Sequence, residues 1–145
     1  MSEDRKEIIN KLRVESRLLE QTAEAIQARV NMLNAVIADL TYANMTLEGL
    51  EKTEGNLELL VPIGGNSYIK AKLESKETII LGIGAGISLE KKSEEAKIIV
   101  KTRLENLEKA KASLQQQSTE VVKELGENRE KFEKLTSDLN EEKTS

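Results

Sequence analysis

Two long stretches of the chain carry apolar residues at alternating intervals of four and three. In the first the series runs Ile8, Leu12, Glu15, Leu19, Thr22, Ile26, Arg29, Leu33, Val36, Leu40, Ala43, Leu47, Leu50, and ten of these thirteen positions are apolar, enough for one continuous stripe. In the second it runs Val100, Leu104, Leu107, Lys111, Leu114, Ser118, Val121, Leu125, Asn128, Phe132, Leu135, Leu139, with nine of twelve apolar. A hydrophobic period of about 3.5 residues keeps one narrow seam facing a partner helix as both supercoil. The pattern predicts two helices, over residues 1–55 and 93–145, that are unstable singly and of nearly equal reach, so that they fold back on each other as a coiled-coil hairpin. Ser2 before Glu3 and Asp4, and Ser93 before Glu94 and Glu95, read as N-caps with acids at the positive end of each helix dipole. Gly49 or Gly55-Asn56 is expected to stop the first helix. The second should continue to about Asn140, with Gly126 as its soft point.

Between the flanks the period changes to two. Residues 57–63, 67–73, 78–83 and 86–90 are short strand-like runs, separated by Gly64-Gly65-Asn66, Glu74-Ser75-Lys76 and Gly84-Ala85-Gly86. Five of the eight glycines and the only proline fall here, which marks residues 56–92 as a distinct insert. The reading is two successive β-hairpins forming a short four-strand meander with two open edges. Such a meander seldom persists alone, so its strands are expected to pair with those of other subunits. The apolar residues that would make that interface are Val61, Ile63, Tyr68, Ile69, Ile79, Ile80, Leu81, Ile83, Ile87 and Leu89. The expected fold class is therefore α+β, one domain in which a long antiparallel coiled-coil hairpin carries two central β-hairpins for oligomerisation.

Composition narrows the chemistry. The 145 residues include no Cys, His or Trp and only three aromatics, Tyr42, Tyr68 and Phe132. Without thiolate or imidazole there is no zinc finger, disulfide, Ser–His or Cys–His nucleophile. Net charge is −4 with both signs mixed along the chain, which argues against nucleic-acid binding. No apolar run reaches the about 18 residues of a membrane span, and the charged start, Met1 to Glu7, is unlike a signal peptide. The cytoplasm is the expected compartment.

Gly82-Ile83-Gly84-Ala85-Gly86 is a poor phosphate loop, because it lacks both the GxGxxG spacing and the GK[ST] sequence, and a strand follows where a helix should begin. The carboxylates alternate with lysines, as at Glu105, Glu108, Lys109 and Lys111, in the manner of solvated coiled-coil flanks. The chain is not expected to be an enzyme, and no cofactor or metal is implied. Polar residues in the seams, Glu15, Thr22, Arg29, Lys111, Ser118 and Asn128, read as register-setting positions. Near the free ends lie Ile8, Ile9, Leu12 and Val14, with Val121, Val122, Leu125, Phe132, Leu135 and Leu139 on the other helix; Ile9, Val14 and Val122 fall beside the seam. Helix ends fray readily, and a frayed end would present these side chains to an unfolded chain.

The order long helix, two glycine-punctuated hairpins, long helix resembles the prefoldin family, specifically its archaeal alpha class. Val61 to Leu73 (Val-Pro-Ile-Gly-Gly-Asn-Ser-Tyr-Ile-Lys-Ala-Lys-Leu) and Ile79 to Lys91 carry the resemblance; the helices match by pattern. The resemblance implies that two alpha and four beta subunits join their hairpins in a double β-barrel platform bearing six coiled-coil arms. It implies an ATP-independent holdase that grips non-native proteins at the arm tips and passes them to a group II chaperonin. On this chain the gripping residues would be Ile8, Ile9, Leu12, Phe132, Leu135 and Leu139. A plain coiled-coil tether or assembly scaffold is the alternative, although it has no use for an apolar four-strand insert.

Overall fold

The computed structural model describes residues 2–54 and 57–144. Along the chain come α1 (Ser2–Lys52), β1 (Glu58–Gly64), β2 (Ser67–Lys72), β3 (Thr78–Gly84), β4 (Ile87–Lys92) and α2 (Ser93–Thr144). Neither Gly49 nor Gly126 breaks its helix. At the end of α1 the Thr53 backbone N–H donates to the Leu50 carbonyl and its hydroxyl to that of Gly49 at 2.8 Å, satisfying carbonyls that the last turn leaves free. Gly55-Asn56 and the Ser2 side chain lie outside the described residues. Ser93 starts α2, but its hydroxyl makes no capping bond; its backbone N–H donates instead to the Glu77 carbonyl at 2.8 Å.

By packing, the chain divides into two units. One holds α1 up to Ala35 and α2 from Glu108 onward. Its two helices run antiparallel, with the Arg13 guanidinium 5.5 Å from the centroid of the Phe132 ring and Leu12 beside Leu135. The other, Val36–Leu107, has a core of Leu47, Ala96 and Val100, against which Leu40, Leu104, Ile79 and Leu81 pack. Lys97 Nζ pairs with Glu51 Oε2 at 2.6 Å at the edge of this core.

All twelve seam positions expected of α2 are buried or half-buried. In α1 Leu12, Leu19, Ile26, Leu33 and Leu40 are, every second position, and then Ala43, Leu47 and Leu50 all are. One inward series runs Ile9, Leu12, Ser16, Leu19, Ala23, Ile26, Val30, Leu33, Ile37, Leu40, Asn44 and Leu47, another perfect alternation of threes and fours, with Ala43, Glu48 and Leu50 also half-buried in the last turns. Ile9 is 7% exposed and Ile8 48%, so Ile9 belongs to the seam and Ile8 lies beside it. Glu15, Thr22 and Arg29 are exposed, and Ser16, Ala23 and Val30 take their places. The physical reason is that this phase buries small or apolar side chains where the other would desolvate a carboxylate and a guanidinium.

The four strands form two separate two-stranded sheets, β1–β2 and β3–β4, rather than one meander. No ladder joins β2 to β3, because residues 73–77 turn back: Lys76 Nζ donates to the Thr53 carbonyl at 2.6 Å and Ser75 Oγ accepts from the Glu77 N–H. The hairpins repeat at a twenty-residue offset. Each closes at its base with one further bond, Leu73 N–H to Leu57 C=O and Ser93 N–H to Glu77 C=O. Each has a bulge near its tip, between Pro62 and Gly64 and between Gly82 and Gly84. Each turns through two residues of positive φ, Gly65-Asn66 and Ala85-Gly86, as a two-residue type I′ turn requires.

The phase of α1 makes a direct prediction. Val30→Ala should lower the free energy of unfolding by about 1.5 kcal/mol, whereas Arg29→Ala should stay within about 0.5 kcal/mol. Urea unfolding followed by circular dichroism checks it, and the reverse ranking would put Arg29 back in the seam.

Candidate functional site: the hairpins and the helix ends

Pleating and register place the hairpin side chains on two faces. In β1–β2, Val61 opposite Ile69 and Leu59 opposite Ala71 share one face; Leu60 opposite Lys70 and Pro62 opposite Tyr68 share the other. In β3–β4, Leu81 opposite Leu89 and Ile79 opposite Lys91 share one face; Ile80 opposite Glu90 shares the other with Gly82 and Ser88.

The second hairpin is tied to the helices. Ile79 and Leu81 pack on the Leu47–Ala96–Val100 core, and Arg103 Nη1 donates to the Gly82 carbonyl at 3.0 Å. The first hairpin has no such apolar support: Val61, Ile63, Tyr68 and Ile69 are exposed, as is Leu60, which the sequence reading did not single out. On the second hairpin Ile80, 78% exposed, and Ile83, Ile87 and Leu89 are likewise open. Of the ten candidate assembly residues, eight are therefore uncovered within this chain and two, Ile79 and Leu81, are half-buried. Ile63 and Ile83 are the extra residues of the two bulges, so both sit where the ladder is interrupted.

At the helix ends, Ile9 and Leu12 are buried, Phe132, Leu135 and Leu139 are half-buried, and Ile8 is exposed. Val14, Leu18 and Val122 are exposed as well. Two grooves flank the helix pair here. One, of about 530 Å³, brings together Ile8, Leu12 and Leu135 among Lys11, Lys131 and Lys134. The other, of about 330 Å³, lies between Arg13, Arg17 and Arg129 over Leu125 and Phe132. These arginines were not singled out from sequence, since only the antiparallel register brings residue 129 beside 13 and 17. The sequence signal available was that half of the six arginines fall at these three positions.

The prefoldin subunit family profile matches residues 19–141, which takes in most of α1, both hairpins and nearly all of α2. The chain belongs to the prefoldin family. It is 32% identical to the prefoldin subunit alpha of Methanococcoides burtonii, over 86% of this chain and 91% of that one. Over 88% of this chain and 86% of the relative, it is 31% identical to that of Pyrococcus horikoshii. A more local match, 36% identical to the alpha subunit of Methanopyrus kandleri, spans 59% of this chain and 54% of that one. Among solved structures, a filamentous PFD from Methanocaldococcus jannaschii, determined by cryo-EM, superposes with a TM-score of 0.66 at 25% identity, covering 78% of this chain and 93% of the other. Prefoldins are chaperones of protein folding that form coiled-coil oligomeric complexes, and they are not an enzyme family. No helix among the described residues is long and apolar enough to cross a membrane.

Proposed function

We propose that this prefoldin subunit is one component of an ATP-independent holdase of the cytoplasm. Its hairpins join those of beta-class partners, two alpha with four beta, in a double β-barrel platform, and its helix ends grip non-native proteins and release them to a group II chaperonin. Supporting the assembly half is the apolar surface of β1–β2, exposed on both faces, together with the unpaired outer edges of both sheets. The gripping half rests chiefly on one observation: Ile8, Val14, Leu18 and Val122 stand exposed in the helical unit at the chain ends, above a seam that Phe132, Leu135 and Leu139 only half-bury. An apolar patch of this kind holds an unfolded segment weakly, and several arms acting together convert weak contacts into useful retention without nucleotide. Handover follows because any one contact can be released while others persist. The assembly interface would be made by Val61, Ile63, Tyr68, Ile69, Ile80, Ile83, Ile87 and Leu89, with Ile79 and Leu81 anchoring β3 to the helices.

Two outcomes follow. Ile83→Asp or Ile87→Asp should abolish the oligomer on size-exclusion chromatography with light scattering while helicity by circular dichroism is kept; an undiminished oligomer would refute the interface. Removing residues 1–13 together with 131–145 should leave the oligomer intact and abolish suppression of client aggregation. A truncated complex that protects as well as the full-length one would remove the gripping role from the helix ends.

A further inference from the structure

We propose that the arginine groove at the helix ends selects client segments in which an acidic residue neighbours a large apolar one. This rests on the holdase reading and adds to it a class of client. In a chain of net charge −4 with six arginines, three of them, Arg13, Arg17 and Arg129, converge on a single groove of about 330 Å³. Glu20 is the only acid lining that groove, and among the described residues no carboxylate lies within ion-pair distance of any of the three. Three guanidinium groups thus face a single carboxylate, and the local excess of positive charge favours an acid brought by another chain.

The groove is built for more than charge. Its floor is Leu125 and Phe132, both half-buried. Arg13 lies over the Phe132 ring with 5.5 Å to the centroid, which steadies the guanidinium against the ring. Guanidinium presents a planar fork that takes a carboxylate through two parallel N–H···O bonds, a geometry that lysine lacks. The fitting occupant is an extended polypeptide that places Asp or Glu among the arginines and Leu or Phe on the floor. The groove on the other flank differs: its three lysines stand beside two acids, Glu15 and Asp138, so its excess of positive charge is smaller, and lysine lacks the planar fork. A nucleic acid fits less well, because three guanidinium groups on an acidic chain form no continuous track for successive phosphates.

The test uses the full chain, alone and assembled with a beta-class prefoldin subunit. Three short fluorescent peptides share the same Leu and Phe residues and differ only in carrying Glu, Lys or Ser between them; binding is read by anisotropy. The Glu peptide should bind about tenfold more tightly than the Lys peptide at low ionic strength, as expected of a few exposed charge pairs acting together. The preference should shrink in about 0.5 M salt. Arg17→Gln combined with Arg129→Gln should reduce it to about twofold or less while leaving helicity unchanged. Equal binding of the Glu and Lys peptides overturns the selectivity and leaves the holdase reading standing. Failure of all three peptides to bind overturns the groove as a client site, whereas the holdase reading is judged separately by suppression of client aggregation. A single-stranded oligonucleotide that displaces the Glu peptide as well as excess unlabelled peptide does would reassign the groove to polyanions and overturn the inference.

Discussion

A two-stranded antiparallel sheet leaves a row of unpaired backbone N–H and C=O groups along each outer edge, and two strands have no interior in which to bury apolar side chains. This chain carries two such sheets, and most of their large apolar residues face outward. Covering by other chains, as the proposed assembly supplies, would satisfy both the edges and the apolar faces. Both hairpins have the same bulge and the same left-handed turn, Gly64-Gly65-Asn66 and Gly84-Ala85-Gly86, so the edge each offers has one shape. Only Ala85 adopts this turn with a Cβ and without the side-chain polarity that makes Asn tolerant of it.

The two hairpins are anchored differently. β3–β4 is fixed by Ile79 and Leu81 on the Leu47–Ala96–Val100 core and by Arg103 on the Gly82 carbonyl. For β1–β2 the Leu73–Leu57 bond closes the hairpin on itself, and the tie to the end of α1 is the Lys76–Thr53 bond of the following link. In the helical unit at the chain ends a narrow seam of buried and half-buried residues pairs the two helices, and it leaves Ile8, Val14, Leu18 and Val122 exposed.

Much of this was legible in the amino-acid sequence. The 3.5-residue period located both helices and the whole α2 seam, since Val100 through Leu139 offers only one apolar phase. In α1 adjacent apolar pairs, Ile8-Ile9, Val36-Ile37 and half-polar Ala43-Asn44, made two phases look alike. The deciding positions were the small or apolar Ser16, Ala23 and Val30, each beside a polar or charged neighbour that burial would penalise. The separation of the hairpins into two sheets was not readable, because it depends on the 73–77 link bonding back to the end of α1. The arginine groove was likewise hidden, since it exists only in the antiparallel register of the two helices.

On the proposed function, this subunit holds unfolded proteins without nucleotide once its hairpins are covered by partners. The direct measurement is light scattering from a chemically denatured test protein diluted into buffer without ATP, in the presence of this chain, of its complex with beta-class subunits, or of neither. The complex should suppress scattering in proportion to its concentration. Scattering unchanged by a demonstrated hexamer would contradict it and leave a coiled-coil scaffold in its place.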